Sequence, residues 1–457
     1  MKQKILNERR IRDILRDTRN PSGQTIQRIL KKARNKMGLS LKEVGSLVNL
    51  RDPGFIKALL ETAGWIKEQI YGERLVFFAP LYVSDFCVND CAYCNFHIRN
   101  TGLKRRSLTL DELGEQTKHI INMGHKRVLV EFGEDPVRSN IDFVVEAIQR
   151  IYATKTSKGT IRRINVNIAA TTVKEYKKLK AAKIGTYQLF QETYHRKTYE
   201  QLHRGPKADY DRQITAHCRA FAAGIDDVGL GVLFGLYDWR FEVMALVAHA
   251  QYLDKKYKIG PHTISVPRFQ PAPSVTFTPE YKVSDKDFLK LIAILRIAIP
   301  YTGMIISTRE SAKVRKAAFR IGISQASAAS CTTIGGYGKK IKQPQFIIQD
   351  ERPLEEVIAD IIDDGFLPSF CTACYRLGRT GEVFMGISKP GDIHTFCRPN
   401  GILTFAEYLQ DFTKGSLYQK GQCLIQHYLN QIDDQALRKK TQRHLIEIKQ
   451  GKRDLYF

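Results

Sequence analysis

No stretch of the 457-residue chain approaches the roughly 18 consecutive apolar residues needed to cross a bilayer, so a transmembrane helix is not expected. The longest apolar stretches, such as Val228 to Leu236, are short, and that one contains glycine, which reads as buried strand. Met1 to Asn20 is charged throughout and lacks the hydrophobic centre of a signal peptide, which predicts a cytoplasmic protein with no membrane partner. Disordered and collagen-like compositions are absent too, since 43% of the residues are hydrophobic. Negative charge is in short supply: 72 Lys and Arg face 47 Asp and Glu, a net charge of +25. Residues 1–36 alone hold 12 basic and 3 acidic side chains. Yet no run of basic residues exceeds three, and no helix-turn-helix, zinc-finger or RNA-recognition signature is present. The excess therefore reads as a solvated surface, and nucleic acid is not an expected partner. An even cysteine set is missing as well. Nine cysteines in an intracellular chain argue against a disulfide framework and turn attention to metal ligation or catalysis.

Residues 1–70 read as helices. Ser40 and Glu43 have capping-box spacing, and Asp52-Pro53 supplies an N-cap followed by a first-turn proline. From residue 71 to 340, short β-rich runs alternate with amphipathic ones. Strands are expected at 75–83, 127–132, 164–168, 186–190, 228–234, 262–269, 304–307 and 328–333, with helices at 110–123, 141–153, 173–182, 210–223 and 241–257. Strands each followed by a crossover predict an α/β fold, a (β/α)8 TIM-type barrel. From 341 to 457 the alternation stops; a Gly-, Pro- and Cys-bearing segment is followed by helical sequence over 405–449, which predicts a separate C-terminal domain.

Cys87, Cys91 and Cys94 form a C-x3-C-x2-C triplet just beyond the first expected strand. Three thiolates this close can hold an iron–sulfur cube and leave its fourth iron without a protein ligand. The alternatives are a zinc site completed by His97, or three unrelated buried cysteines. Cys371, Cys374 and Cys397 form a second triplet, C-x2-C-x22-C. Again there are three thiols, so a second cluster is the natural chemistry, with a zinc site completed by His394 as the alternative. Cys218, Cys331 and Cys423 are isolated and read as packed side chains.

The first triplet, with Tyr93 before its last cysteine, resembles the radical S-adenosylmethionine superfamily. That resemblance implies a 4Fe-4S cluster that cleaves S-adenosylmethionine to a 5′-deoxyadenosyl radical. Gly133-Glu134-Asp135-Pro136 resembles the superfamily turn that binds the methionine amino group. Gln191-Glu192-Thr193-Tyr194-His195 is similar to a motif of its aromatic amino acid lyases. Tyr93, Gly133, Glu134, Glu192 and Arg212 are thereby implied as cofactor-binding residues. Ser307-Thr308-Arg309-Glu310 resembles the tyrosine-lyase segment that holds the substrate carboxylate, which implies Ser307 and Arg309 as substrate-binding residues; a two-bond Arg–carboxylate contact suits that task.

With the second triplet, the pattern resembles the FeFe-hydrogenase maturase tyrosine lyases over about residues 70–420. His203-Arg-Gly-Pro-Lys207, Pro261-His-Thr-Ile-Ser-Val-Pro-Arg268 and Gly335-Gly-Tyr337 add to the likeness, and Asn95, where glycine is the pattern, departs from it. The family resemblance implies cleavage of L-tyrosine to p-cresol and dehydroglycine, then carbon monoxide and cyanide collected as an Fe(CO)2(CN) unit for H-cluster assembly. It also implies an auxiliary 4Fe-4S cluster with an extra iron ligated by His262. The implied partners are an electron donor such as ferredoxin or flavodoxin and the hydrogenase maturation proteins. His262 falls at the start of the sixth strand, so this role requires the second triplet to lie at the barrel end opposite the first. The rival readings are a thiazole-pathway tyrosine lyase that releases dehydroglycine, a radical enzyme acting on RNA, and a non-enzymatic cluster scaffold.

Overall fold

In the computed structural model, which describes residues 5–339 and 343–457, the chain closes a parallel barrel. Strands β1 (Arg74–Ser84), β2 (Arg127–Phe132), β3 (Arg163–Asn167), β4 (Tyr187–Gln188), β5 (Val228–Gly231), β6 (Thr263–Ser265), β7 (Gly303–Ile306) and β8 (Gln325–Ser327) pair in sequence order, and β8 returns to β1. Helices cross between successive strands: α5 (Leu110–Asn122), α6 (Ile141–Ala153), α7 (Val173–Ala181), α8 (Arg196–Leu202), α9 (Tyr210–Ile214), α10 (Ala216–Ala222), α11 (Trp239–Tyr257), α12 (Asp285–Ala298) and α13 (Ala312–Ile321). Their starts are written locally. Thr109 and Thr172 each form a capping box with the glutamate three residues on.

Before the barrel, α1 (Glu8–Asp17), α2 (Gly23–Ala33), α3 (Leu41–Val48) and α4 (Pro53–Tyr71) cover part of the outer helix ring. Lys290 on α12 ties them down by donating to the carbonyls of Val48 and Leu50 at 3.0 and 2.6 Å. Among the described residues no helix is long and apolar enough to cross a membrane.

Two expectations change. The eighth strand lies at Gln325–Ser327, not at 328–333. Ala328 still donates to the Phe78 carbonyl, but Ala329 adopts φ +49°, a left-handed backbone that ends the strand and turns the following residues across the barrel mouth. The helix read over 210–223 is two helices, Tyr210–Ile214 and Ala216–Ala222, interrupted at Thr215.

The expected domain boundary at 340/341 lies outside the described residues. Beyond it, β9 (Leu367–Ser369) joins the barrel sheet. Val76 of β1 pairs with Gln325 of β8 and with Ser369 of β9, so β9 occupies the β2 edge of β1, below β2. Helices α14 (Leu354–Asp363), α15 (Ala373–Arg376), α16 (Gly381–Ser388), α17 (His394–Phe412), α18 (Gly415–Asn430) and α19 (Gln435–Lys449) complete the chain, which returns to clamp α15 through an Arg376–Asp454 ion pair of 2.6 Å.

The segment after residue 342 is fastened to α13 by a buried pair. Arg315 meets Asp350 at 2.6 Å, both about 1% exposed, and Asp350 also holds Arg352 at 2.8 Å. Asp350→Ala strands the Arg315 charge in the interior. We expect it to cost about 3–5 kcal/mol of stability, read by urea denaturation.

Candidate functional site

The parallel register fixes which residues face inward. On β1 these are Arg74, Val76, Phe78, Pro80 and Tyr82; on β2, Arg127, Leu129 and Glu131; on β8, Gln325 and Ser327. Their upper members line a cavity of about 200 Å³ at the C-terminal ends of the strands, and their lower members line one of about 40 Å³ at the opposite end. On β1, β2 and β8 a single inward step separates the two. Gly303 keeps the interior open at β7, because a Cβ there would lie 2.6 Å from the Gln325 amide nitrogen.

Cys87, Cys91 and Cys94 line the upper cavity from the loop after β1. Asn89 and Gln345 each approach a thiol through their amide nitrogens, Cys87 and Cys94 respectively, at 3.7 Å. Burial, and then the neighbouring Cys87, holds the Cys94 thiol up at about 11, and burial raises Cys91 as well. A bound metal would displace those protons. Asn95 has no left-handed backbone. Instead its side chain ties the loop outward, donating to the Pro344 carbonyl at 2.7 Å and accepting from the Ser274 hydroxyl at 2.6 Å. His97 bonds Asp90 at 2.9 Å and does not line the cavity.

Tyr93 lines the cavity and shares a 2.7 Å hydrogen bond with His203. A Cβ on Gly133 would collide with the Phe86 carbonyl, so glycine is needed where the β2 turn meets the cysteine loop. Glu134 accepts from Asn89 at 2.6 Å and pairs with Arg212 at 2.6 Å; Arg212 reaches the site only through Glu134 and does not line the cavity.

Glu192 sits at the centre of a γ-turn with φ +65°, where Thr193 N–H donates to the Gln191 carbonyl at 2.9 Å. Three contacts hold this costly conformation. Leu233 N–H donates to the Glu192 carbonyl at 2.9 Å, Tyr194 N–H donates to Glu242 at 2.8 Å, and the Thr193 hydroxyl also donates to Glu242. The Glu192 carboxylate is thereby aimed into the cavity, where it pairs with Lys207 at 2.7 Å. Ser307 and Arg309 line the same cavity; the Arg309 guanidinium stacks 3.2 Å from the Phe346 ring centre, and burial lowers its pKa.

The lower cavity is lined by Cys371, Cys374 and Cys397, together with His262 from the residue before β6. Cys371 follows β9 by two residues, so the pairing of β9 with β1 delivers it. His262 stacks on Phe384, with ring centres 3.9 Å apart, and its Nε2 meets the Tyr375 hydroxyl at 3.2 Å. Burial drives its pKa down to about 4, leaving the neutral imidazole that metals bind. Burial, then the neighbouring Cys397, raises Cys374 to about 12, and Arg74 hydrogen-bonds Cys397. His394 bonds the Gly391 carbonyl and lies outside the cavity.

Among the described residues no group of His, Cys, Asp or Glu packs closely enough to enclose a single metal ion. Each triad instead rings a cavity, the arrangement three thiolates need to hold the corners of a cluster. Sequence reading missed Tyr82, Glu131, Asn167, Lys207 and Gln345 in the upper cavity and Arg74 and Arg127 in the lower. For Glu131 the signal was the alternation Leu129, Glu131, Gly133 on an otherwise apolar strand.

A closed parallel barrel carrying C-x3-C-x2-C after its first strand defines a radical S-adenosylmethionine enzyme. The Radical SAM superfamily model matches residues 81–247, and the Biotin and Thiamin Synthesis associated domain matches residues 265–367. A crystal structure of HydG, a maturase of the FeFe-hydrogenase, is 49% identical with TM-score 0.97 and full coverage of both chains. The X-ray structure of HydG from Carboxydothermus hydrogenoformans is 40% identical with TM-score 0.85, covering 96% of this chain and 97% of that one. The 2-iminoacetate synthase of Escherichia coli (strain K12) is 28% identical over 77% of this chain and 92% of its own length. The chain belongs to the HydG family of FeFe-hydrogenase maturases, and the enzyme is a radical S-adenosylmethionine lyase.

The Glu242 carboxyl behind the Glu192 turn is held up at about 8 by burial. Folded protein therefore keeps a proton that the unfolded chain loses near 4.5, so this group's contribution to stability falls as pH rises from 4.5 to about 8. Glu242→Gln keeps the shape without the titration. The stability of the variant should fall less steeply across that window in urea denaturation.

Proposed function

We propose that this enzyme cleaves L-tyrosine to p-cresol and dehydroglycine in the upper cavity, and that carbon monoxide and cyanide derived from dehydroglycine are gathered at the lower one for hydrogenase assembly. The observation that carries this reading is the pair of three-cysteine cavities at opposite ends of one barrel, the lower with a neutral histidine. A synthase that released dehydroglycine would need only the upper one.

Cys87, Cys91 and Cys94 hold a 4Fe-4S cluster, and Tyr93, Gly133, Glu134 and Glu192 hold S-adenosylmethionine, with Arg212 bracing Glu134. When bound, these groups supply the one-electron chemistry and the 5′-deoxyadenosyl radical that takes hydrogen from the substrate amino group. The protein's own work is placement and exclusion of water. Arg309, stacked on Phe346, and Ser307 fix the substrate carboxylate, and the segment bearing Gln345 and Phe346, anchored by Asp350, covers the cavity from solvent. Cys371, Cys374 and Cys397 hold the auxiliary cluster, and His262, steadied by Phe384 and Tyr375, ligates the extra iron. Ferredoxin or flavodoxin supplies electrons, and the other hydrogenase maturation proteins receive the product.

The deciding experiment is anaerobic reconstitution with tyrosine and S-adenosylmethionine, scoring p-cresol, cyanide and carbon monoxide together; absence of p-cresol defeats the proposal. Replacing Cys87, Cys91 or Cys94 by serine should abolish 5′-deoxyadenosine formation, because an alkoxide does not replace a thiolate at iron. Serine at Cys371, Cys374 or Cys397, or His262→Ala, should preserve p-cresol at least in part while removing carbon monoxide release. Loss of both products with folding intact would show that the two cavities do not divide the work.

A further inference from the structure

The acidic and basic side chains lining the upper cavity are Glu131, Glu134, Glu192, Lys207 and Arg309. Three of the five are ion-paired. Glu192 is paired with Lys207 and Glu134 with Arg212. That leaves Arg309 and Glu131, opposite in sign, each among the other's principal electrostatic neighbours, yet not ion-paired with one another or with any other described residue. No N–H of the Arg309 side chain is hydrogen-bonded to described protein; its contact is the Phe346 ring. Resting on the proposed amino-acid substrate, we propose that Glu131 receives the α-ammonium of that substrate and takes one proton from it, while Arg309 holds the carboxylate.

The register supports the placement. Glu131 lies level with Tyr82 on β1 and Asn167 on β3, and all three line the cavity. The ammonium and carboxylate of an amino acid sit on one carbon, so their receptors must be close together without touching, as Arg309 and Glu131 are. The phenol hydroxyl, across a whole aromatic ring, cannot reach Glu131 while Arg309 grips the carboxylate.

Before substrate binds, Glu131 is protonated near neutral pH, and that proton passes to solvent as the ammonium docks against the carboxylate. In the transfer that follows, one ammonium N–H bond breaks with its electron pair kept on nitrogen, and one O–H bond forms on Glu131, so that one proton in all leaves for solvent. The products are a neutral amine and a neutral acid, and no electron is exchanged. The lone pair left on nitrogen stabilises a nitrogen-centred radical, which an ammonium cannot do. Burial supports this chemistry by lifting the Glu131 carboxyl to about 8 against the field of Arg309, with Glu192, Asn167 and Lys207 as its further neighbours. Chain α-amino groups titrate at about 7.7–8.0; the ammonium of a free amino acid titrates higher because of its own carboxylate, and pairing that carboxylate with Arg309 reduces the difference, so the proton moves between groups of comparable affinity.

The test compares L-tyrosine with its desamino analogue, 3-(4-hydroxyphenyl)propionate, binding to the reconstituted holoprotein with S-adenosylmethionine, by calorimetry in buffers of differing ionisation enthalpy. In the unmodified enzyme near neutral pH, tyrosine should release about one proton and the desamino acid none. Glu131→Gln should weaken tyrosine about tenfold to a hundredfold, leave the desamino acid within about threefold and remove the proton release. Equal weakening of both ligands, unchanged tyrosine affinity, or tyrosine binding without proton release in the unmodified enzyme overturns the assignment. So does a loss in Glu131→Gln that spares L-phenylalanine, since that would place the phenol at Glu131. If Arg309→Lys leaves tyrosine and tyramine unaffected alike, the amino-acid reading of the cavity fails instead, whatever Glu131 does.

Discussion

The structure depends on the inward phase of one strand. β1 has eleven residues, the longest strand in the barrel, and its alternate side chains run from Arg74 in the lower cavity to Tyr82 in the upper. A parallel barrel has no other way to connect its ends, because every strand points the same way and every second residue faces in. Placing the first cysteine loop directly after β1 fixes the upper site. Laying β9 against the base of the same strand fixes the lower one. The first cysteine of each triad therefore follows within three residues of β1 or of the strand paired with it, while Cys374 is carried by α15 and Cys397 by α17.

The electrostatics follow from this geometry. A barrel interior filled with branched aliphatic side chains would leave no room for chemistry. Here the inward positions include Gln188, Ser265, Gln325, Ser327 and Asn167, and the charges among them are matched in pairs or left facing a cavity. Where an acidic group is buried, a reason can be named. Glu242 holds the left-handed turn that aims Glu192, Asp350 fastens the covering segment to Arg315, and Asp227 lies 3.4 Å from His262 and 3.3 Å from Arg163. The +25 charge lies outside these arrangements, and the structure assigns it no partner.

Much of the fold was legible because it rests on local signals. Capping pairs at Ser40, Thr109 and Thr172 start helices whose apolar faces recur at helical spacing, and β-branched runs mark the strands. The eighth strand was displaced because Gln325–Ser327 is only three residues long and has no β-branched side chain, and the left-handed Ala329 that follows it leaves no mark in side-chain type. β9 escaped notice for a different cause. Leu-Pro-Ser is too short to announce a strand, and its pairing with Leu75 and Val76 bridges almost three hundred residues of chain.

The cysteine spacings by themselves determined that Cys87, Cys91 and Cys94 lie together and that Cys371 lies beside Cys374, since residues separated by two or three others cannot be far apart in any fold, whereas Cys397 joins the second pair only through the placement of α17. The placement of those centres, the exclusion of His97 and His394 from the cavities and the admission of His262 were decided only by the tertiary structure. So was the importance of Glu131, which in sequence is one acid in an apolar strand and in the barrel is the only acid lining the upper cavity, among the described residues, without a basic partner. The physical reason is range. Ligand spacing and capping act over a few residues, whereas which charge finds a partner depends on strands brought together around the whole circumference of the barrel.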